Sequence, residues 1–264
     1  MSAGRGPNRE AQEPQHLTAE DIFFAIHRDN PREGPGSDAS TRRAFDLVPR
    51  LGPDARILDI GCGPGAQTMC LAGLCEAQIH AVDLYPQYLG QLSARVAERN
   101  LGDRIFPRAG DMRSLDYPTE HFDLIWAEGS IYLMGFAKGL EAWRTFLKPH
   151  GSIAVTELTW LQEERPPEAA GFWRANYPGM NNIADNLALI KRCGYRLLGY
   201  FTLPESDWWS GYYSSISAKL DRVSRLHGES AAAREAIESE REEMRMFEKY
   251  ADSYGYVFYV AGKA

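Results

Sequence analysis

The sequence predicts an α/β fold, a mainly parallel sheet covered by helices on both faces. Three observations carry that expectation. From Arg56 onward, short apolar runs alternate with segments of helical spacing, the order that parallel strands and crossover helices produce. One such run, Ile57-Leu58-Asp59-Ile60, ends in Gly61-Cys62-Gly63-Pro64-Gly65 before a helix-compatible stretch beginning near Ala66, so the backbone must turn sharply there. The 264 residues, 44% hydrophobic and 25% charged, suffice for one domain of this class with a modest cap.

Residues 1–15, rich in Gly, Pro, charged and amide side chains, are expected to be disordered. Thr18-Ala19-Glu20-Asp21 reads as an N-cap with an acid three residues on, opening a helix whose apolar set is Ile22, Phe23 and Ile26. The breaker stretch from Asn30 to Ser37 separates it from a second helix over 38–50. Strands are expected over 56–60, 78–83, 104–108, 122–127 and 151–158, with helices over 66–74, 87–99 and 136–147. Lys148-Pro149-His150-Gly151 reads as the stop signal of the last helix.

Beyond the fifth strand the character changes. Residues 159–194 carry Trp160, Trp173 and Tyr177 among three prolines, a strand follows over 195–202, and Asp207-Trp208-Trp209-Ser210-Gly211-Tyr212-Tyr213 opens a long helical region. Residues 217–250 mix Arg and Glu at helical spacing, the pattern of a solvated face, and 254–261 suits an interior antiparallel strand. The chain thus divides into a tail, a helical segment over 16–50, and one domain over 51–264 with cap elements at about 159–194 and 205–250.

Right-handed crossovers place the loops that follow the strands on one edge of the sheet, and the glycine loop makes that edge a ligand site. A backbone without Cβ atoms admits a ligand, and the free N–H groups of the helix near Ala66 offer donors at a positive dipole end. Two ligand classes fit. Gly61-x-Gly63-x-x-Ala66 satisfies the dinucleotide pattern, with Asp83 as the acid on the next strand. Three further features suit S-adenosylmethionine (SAM): Asp59 two residues before Gly61, for an ammonium; Asp83 ending Ala81-Val82-Asp83, for two ribose hydroxyls; and Gly110-Asp111-Met112 after the third strand, for an adenine amine and ring.

Together the motifs LDIGCGPG, AVDLY, GDM and FDLIWAEGSIY followed by LKPHG resemble those of class I SAM-dependent methyltransferases, in pattern the ubiquinone/menaquinone-biosynthesis type and the small-molecule methyltransferases, from about Arg56 to Leu158. The resemblance implies a Rossmann-like sheet of seven strands, mostly parallel with the last strand antiparallel, joined here by a small aromatic-rich cap. It implies SAM as cofactor, with contacts from Asp59, Gly61, Gly63, Gly65, Gln67, Asp83, Leu84, Asp111, Met112 and Glu128. His150 departs from the family, which usually carries a second glycine there, at a point distant from the cofactor. In such enzymes the segment before strand one commonly folds over the cofactor. Residues 18–45 are therefore expected as a lid with Gly34 and Gly36 near the ligand; a plain surface linker is the alternative.

A net charge of −7 and the lack of any Lys/Arg run argue against a nucleic-acid partner. Cys62, Cys70, Cys75 and Cys193 show no metal or disulfide spacing, which fits a reducing, cytoplasmic setting, and Cys62 reads as a small residue filling the turn. No apolar stretch reaches the length of a membrane span, and a homodimer stays open. No metal is expected either, since carboxylates spaced as a magnesium site are absent.

The loop Trp126-Ala127-Glu128-Gly129-Ser130-Ile131-Tyr132 is the place for chemistry. Glu128 is the candidate base or electrostatic partner, with a purely structural or cofactor contact as the alternative; Tyr132 is a candidate hydrogen-bond donor or pocket wall. The missing Asn/Asp-Pro-Pro-Tyr/Phe loop disfavours adenine or glutamine amide as acceptor. For a small aromatic or cationic acceptor, methylated at N, O or S, the candidate substrate residues are Tyr132, Trp160, Trp173, Tyr177, Trp208, Trp209, Tyr212 and Tyr213, with core filling the safer reading for any one of the tryptophans. Of the histidines, His27 is the one whose helix would lie over the site. An NAD(P)-dependent oxidoreductase and a non-catalytic binding partner are the rival readings.

Overall fold

The computed structural model describes residues 18–264, so the expected disorder of residues 1–15 lies outside the described residues. Seven strands form one sheet: β1 (Arg56–Ile60), β2 (Gln78–Asp83), β3 (Ile105–Ala109), β4 (Phe122–Ala127), β5 (Leu147–Trp160), β6 (Tyr195–Thr202) and β7 (Tyr254–Lys263). Their order is β3-β2-β1-β4-β5-β7-β6, parallel from β3 to β5, with β7 inserted antiparallel between β5 and β6. The expected sheet with its reversed last strand is what the chain forms.

The strands' alternate side chains feed two cores. On one face Ile57, Leu124 and Trp126 meet Ala44 of α2 (Asp38–Phe45), Leu71 of α3 (Ala66–Leu74) and Leu92 of α4 (Pro86–Glu98). On the other, Leu58, Ile125 and Val155 meet Leu140 and Trp143 of α5 (Phe136–Arg144) and Ile190 of α7 (Ile183–Arg192). This double covering is why the central strands read as continuous apolar runs.

The remaining elements build a cap on the first face. α1 (Ala19–His27) begins with a reciprocal capping box between Thr18 and Asp21 and packs on α9 (Ser214–His227) and α10 (Ala231–Tyr250). α6 (Pro167–Asn176) and the short α8 (Glu205–Trp208) complete the cap, and a π-helical turn, Trp209–Tyr213, joins α8 to α9. That turn inserts an extra residue into the aromatic run, which changes the faces its rings occupy.

Three boundaries differ from expectation. The second helix stops at Phe45, and the long C-terminal helical region breaks between His227 and Ala231. The stretch expected to stop a helix instead starts β5: Leu147 pairs with Phe122, the register then shifts, and Ser152 pairs with Leu124. His150 has φ 66°, so it takes the left-handed conformation for which a glycine would be the easier residue.

Candidate active site

Strand order reverses between β1 and β4, and in open α/β sheets the crevice at such a point, beyond the carboxyl ends of the strands, holds the ligand. A cavity of about 350 Å³ lies there, with Ile60, Gly61, Gly63, Asp83, Met112 and Tyr132 among its walls. Ser130 Oγ donates to the carbonyl of Ile60 at 2.7 Å, joining the two loops that frame the crevice.

Gly61, Gly63 and Gly65 all have positive φ, at 71°, 52° and 87°. The reason two of them must lack a side chain differs from the one expected. A Cβ on Gly61 would lie 2.5 Å from Cβ of Ser130, and one on Gly65 would lie 2.3 Å from Cδ1 of Leu92, so the close approach at both is to protein. Gly65 does not line the cavity; it is the N-cap of α3.

The acids separate into two roles. Asp83 lines the cavity, with Oδ2 accepting from the Gly63 N–H at 2.8 Å and Oδ1 from the Tyr85 N–H at 2.9 Å. Burial raises its pKa against those backbone donors. Asp111 lines the same cavity and is paired with Arg113 at 2.7 Å, whose guanidinium hydrogen bonds hold its carboxyl at about 2. Leu84, Met112 and Gln67 are also on the wall. Asp59 is not. It is fully buried beneath the loop, accepts from Thr68 Oγ1 at 2.6 Å and Gln67 Nε2 at 3.4 Å, and burial pushes it up to about 7. It braces the start of α3, and the three carboxylates do not meet on one surface.

Glu128 lines the cavity, but its carboxylate is occupied. Oε1 accepts from Trp126 Nε1 at 2.8 Å and Thr41 Oγ1 at 2.7 Å, and Oε2 accepts from Arg32 Nη1 at 3.0 Å. Both oxygens are taken up by three donors, one of them a guanidinium, so the geometry favours the structural alternative for this residue. Burial raises the Cys62 thiol well above its ordinary value, consistent with a residue that fills the turn.

A methyltransferase-domain family model matches residues 57–151, from the start of β1 into β5. The methyltransferase GfsG of Streptomyces halstedii is 26% identical over 261 residues, covering 93% of this chain and 91% of that one. Phosphoethanolamine N-methyltransferase of Plasmodium falciparum is 24% identical over 193 residues, 72% of this chain and 70% of that one. A SAM-dependent methyltransferase of Geobacter sulfurreducens, solved with S-adenosylhomocysteine, superimposes with a TM-score of 0.79 at 19% identity, over 92% of this chain and 98% of that one. Together the family-model match, the methyltransferase relatives and the superimposed structure support a class I SAM-dependent methyltransferase. The nicotinamide reading falls with that. The fold alone would not have decided it, because the [4+2]-cyclase SpnF also superimposes, with a TM-score of 0.72 at 20% identity over 93% of this chain and 92% of that one.

One observation bears on whether the cavity fits a cofactor: Glu33 is on its wall, and Glu33 Oε1 is a buried acceptor with no hydrogen-bond partner among the described residues. Glu33, Arg32 and Pro35 were not singled out by sequence. They sit in a breaker stretch whose only signal was its glycines, and Gly34 lies on the wall with them. Gly36 does not, but a Cβ there would be 3.1 Å from Glu128 Oε2.

Four of the eight aromatic residues named as candidate substrate contacts, Trp160, Trp173, Trp208 and Tyr213, are buried in the core. Trp160 and Trp173 pack edge-on to Tyr254, Trp208 stacks on Phe247 at 4.0 Å, and Tyr213 is fully buried with its hydroxyl donating to Glu243 at 2.9 Å. Trp209 packs edge-on to Tyr213, and Tyr212 faces His27 with ring centres 6.4 Å apart. The physical reason is that a cap without a sheet of its own must bury its largest side chains to hold together. Tyr132 alone of the set lines the cavity. Among the described residues no group of His, Cys, Asp and Glu side chains is arranged to hold a metal, and no helix is long and apolar enough to cross a membrane.

Proposed function

We propose that this methyltransferase acts at N, O or S of a small aromatic or cationic molecule, admitted on the side of the cavity where Tyr132 stands. The observation that carries the reading is Tyr132 itself: 37% exposed, on the cavity wall, in the loop after β4. Burial among the nearby acids Glu243 and Glu157 pushes its hydroxyl up to about 12, so it is a hydrogen-bond donor over the working pH range. Bound SAM would supply an electrophilic methyl group on a sulfonium.

On this reading Asp83 would take the ribose hydroxyls, Met112 and Leu84 the ring, and Glu33 the ammonium. Residues 18–45 act as the lid, and the Arg32 contact with Glu128 holds that lid on the body. The chain's own contribution is to exclude water and to hold an acceptor lone pair in line. Four free cysteines suit a reducing compartment such as the cytoplasm.

The test is transfer from methyl-labelled SAM to a panel of small amines, phenols and thiols, read by mass spectrometry. A labelled product that Tyr132→Phe makes more slowly, with unchanged S-adenosylhomocysteine affinity, supports the reading. Tight S-adenosylhomocysteine binding with no product from any panel member favours the non-catalytic alternative.

A further inference from the structure

Large apolar side chains exposed singly on a surface need no explanation, but several around one opening do. Eight are exposed among the described residues, and four of them, Phe23, Leu84, Tyr132 and Leu133, stand on the wall of the cofactor cavity. They reach it from α1, from the loop after β2 and from the turn Ile131–Leu133 after β4, so no single segment brings them together. Leu133 is 62% exposed and Phe23 37%. From Gly129 to Ala137 the chain carries only one kind of surface, since none of those residues is charged. Tyr177 does not line the cavity but backs this wall: its ring packs edge-to-face on Tyr132 at 5.8 Å between centres, and its hydroxyl donates to the buried Glu157 of β5 at 2.5 Å.

The charged side chains of the same wall are already engaged. Arg32 pairs with Glu128 at 3.0 Å, and Arg113 with Asp111 at 2.7 Å. Asp83 accepts from two backbone N–H groups, and Glu33 Oε2 meets His27 Nδ1 at 2.9 Å. On the cofactor reading given above, Asp83 and the remaining oxygen of Glu33 go to the ribose and the ammonium, and Leu84 goes to the ring. Of the exposed wall, the acceptor is then left with Phe23, Tyr132 and Leu133: two aromatic rings, a leucine and one phenolic hydroxyl.

We propose that the acceptor is an uncharged molecule with an extended apolar body, which lies against Phe23, Leu133 and the Tyr132 ring while its reacting end turns into the cavity. This rests on the methyl-transfer reading and narrows its acceptor to the uncharged, apolar side. An ammonium or carboxylate on that body would leave water for a surface that offers no unpaired opposite charge, a cost that nothing there offsets. A methylene laid against the same surface is removed from water instead, and burying one fully raises affinity about fourfold. The Tyr132 hydroxyl, kept protonated chiefly by burial and then by the acids near it, gives the reacting end a donor without adding a charge.

The experiment is titration calorimetry on the full chain saturated with S-adenosylhomocysteine, with two sets of phenols as probes. In para-ethyl-, para-propyl- and para-butylphenol the apolar body grows; para-propylphenol, tyramine and para-hydroxyphenylpropanoate have side chains of similar length and differ in charge. Affinity should rise about two- to fourfold per methylene across the first set. In the second, para-propylphenol should bind roughly tenfold or more tighter than either ion. Leu133→Asn, at a position exposed enough to spare the fold, should shrink the gain per methylene while S-adenosylhomocysteine affinity stays unchanged, and Phe23→Asn should shrink it too. If the alkylphenols fail to bind or show no dependence on length, if tyramine binds as tightly as para-propylphenol, or if Leu133→Asn keeps the full gain, the rim is open surface only and the proposal is overturned. Failure to bind S-adenosylhomocysteine at all would instead overturn the methyl-transfer reading on which it stands.

Discussion

Arg32 and Glu128 form a buried ion pair, Nη1 to Oε2 at 3.0 Å, that ties the stretch before β1 to the loop after β4. Arg32 also meets Asp38 at 2.8 Å, so removing Glu128 leaves the guanidinium with an exposed partner only. Breaking one side of a buried pair typically costs about 3–5 kcal/mol, and the exposed Asp38 contact places this case near the lower end. We expect Glu128→Gln to lower the melting temperature and to weaken S-adenosylhomocysteine binding, because Arg32 to Pro35 form part of the cavity wall. Thermal melts with and without ligand check both. A variant that melts normally and binds normally would show that the pair does not hold the stretch before β1 against the body.

Gly61 offers a test of what the glycine loop is for. Its φ of 71° and the 2.5 Å approach of a Cβ to Ser130 predict two separate penalties for Gly61→Ala. The backbone term is on the order of 1–2 kcal/mol, and the clash adds to it. Ser130→Gly should relieve the second term and leave the first. A double-mutant cycle read by chemical denaturation should therefore give a favourable coupling energy between the two substitutions. Strict additivity would mean that the neighbour moves aside freely.

His27 sits between two acids, Nδ1 to Glu33 Oε2 at 2.9 Å and Nε2 to Glu240 Oε1 at 3.2 Å. Burial by itself would depress its pKa, but the hydrogen bonds to Glu240 and Glu33 outweigh that and raise it to about 9 from 6.5. A raised folded-state value means that the imidazolium stabilises fully below the unfolded value and that this stabilisation disappears as pH climbs through the folded one. Wild type should therefore exceed His27→Gln most below about pH 6.5, by up to about 3 kcal/mol, with the gap closing toward pH 9. Denaturation midpoints across that window check it. A gap that stays constant would show that His27 is neutral in the native state.

Asp83 and Asp59 illustrate how far motif spacing reaches. Asp83 terminates a strand, and period-two geometry and parallel pairing carry it to the rim of the crevice, as a strand end must. Asp59 lies inside β1, where the chain's only freedom is which face it takes. It points to the side covered by α3, so Thr68 and Gln67 claim it. Trp173 and Trp208 were ambiguous for a similar reason: an aromatic residue in a cap of short helices reads the same whether it fills an interior or walls a pocket. Glu157 did carry a signal, a single acid in the apolar run Ile153-Ala154-Val155-Thr156-Glu157-Leu158, since an acid inside a buried strand is rare.

The amino-acid order alone determined the sheet, its glycine turn and the cofactor edge, because apolar alternation and Cβ-free positions act over a few neighbouring residues. Only the tertiary structure decided that Arg32 occupies Glu128, that Leu92 and Ser130 rather than a ligand crowd Gly65 and Gly61, and that Tyr177 reaches Glu157. Those partners lie between 20 and 96 residues apart in the chain where they bond, and contacts of that range are set by how whole elements pack, which no local pattern records.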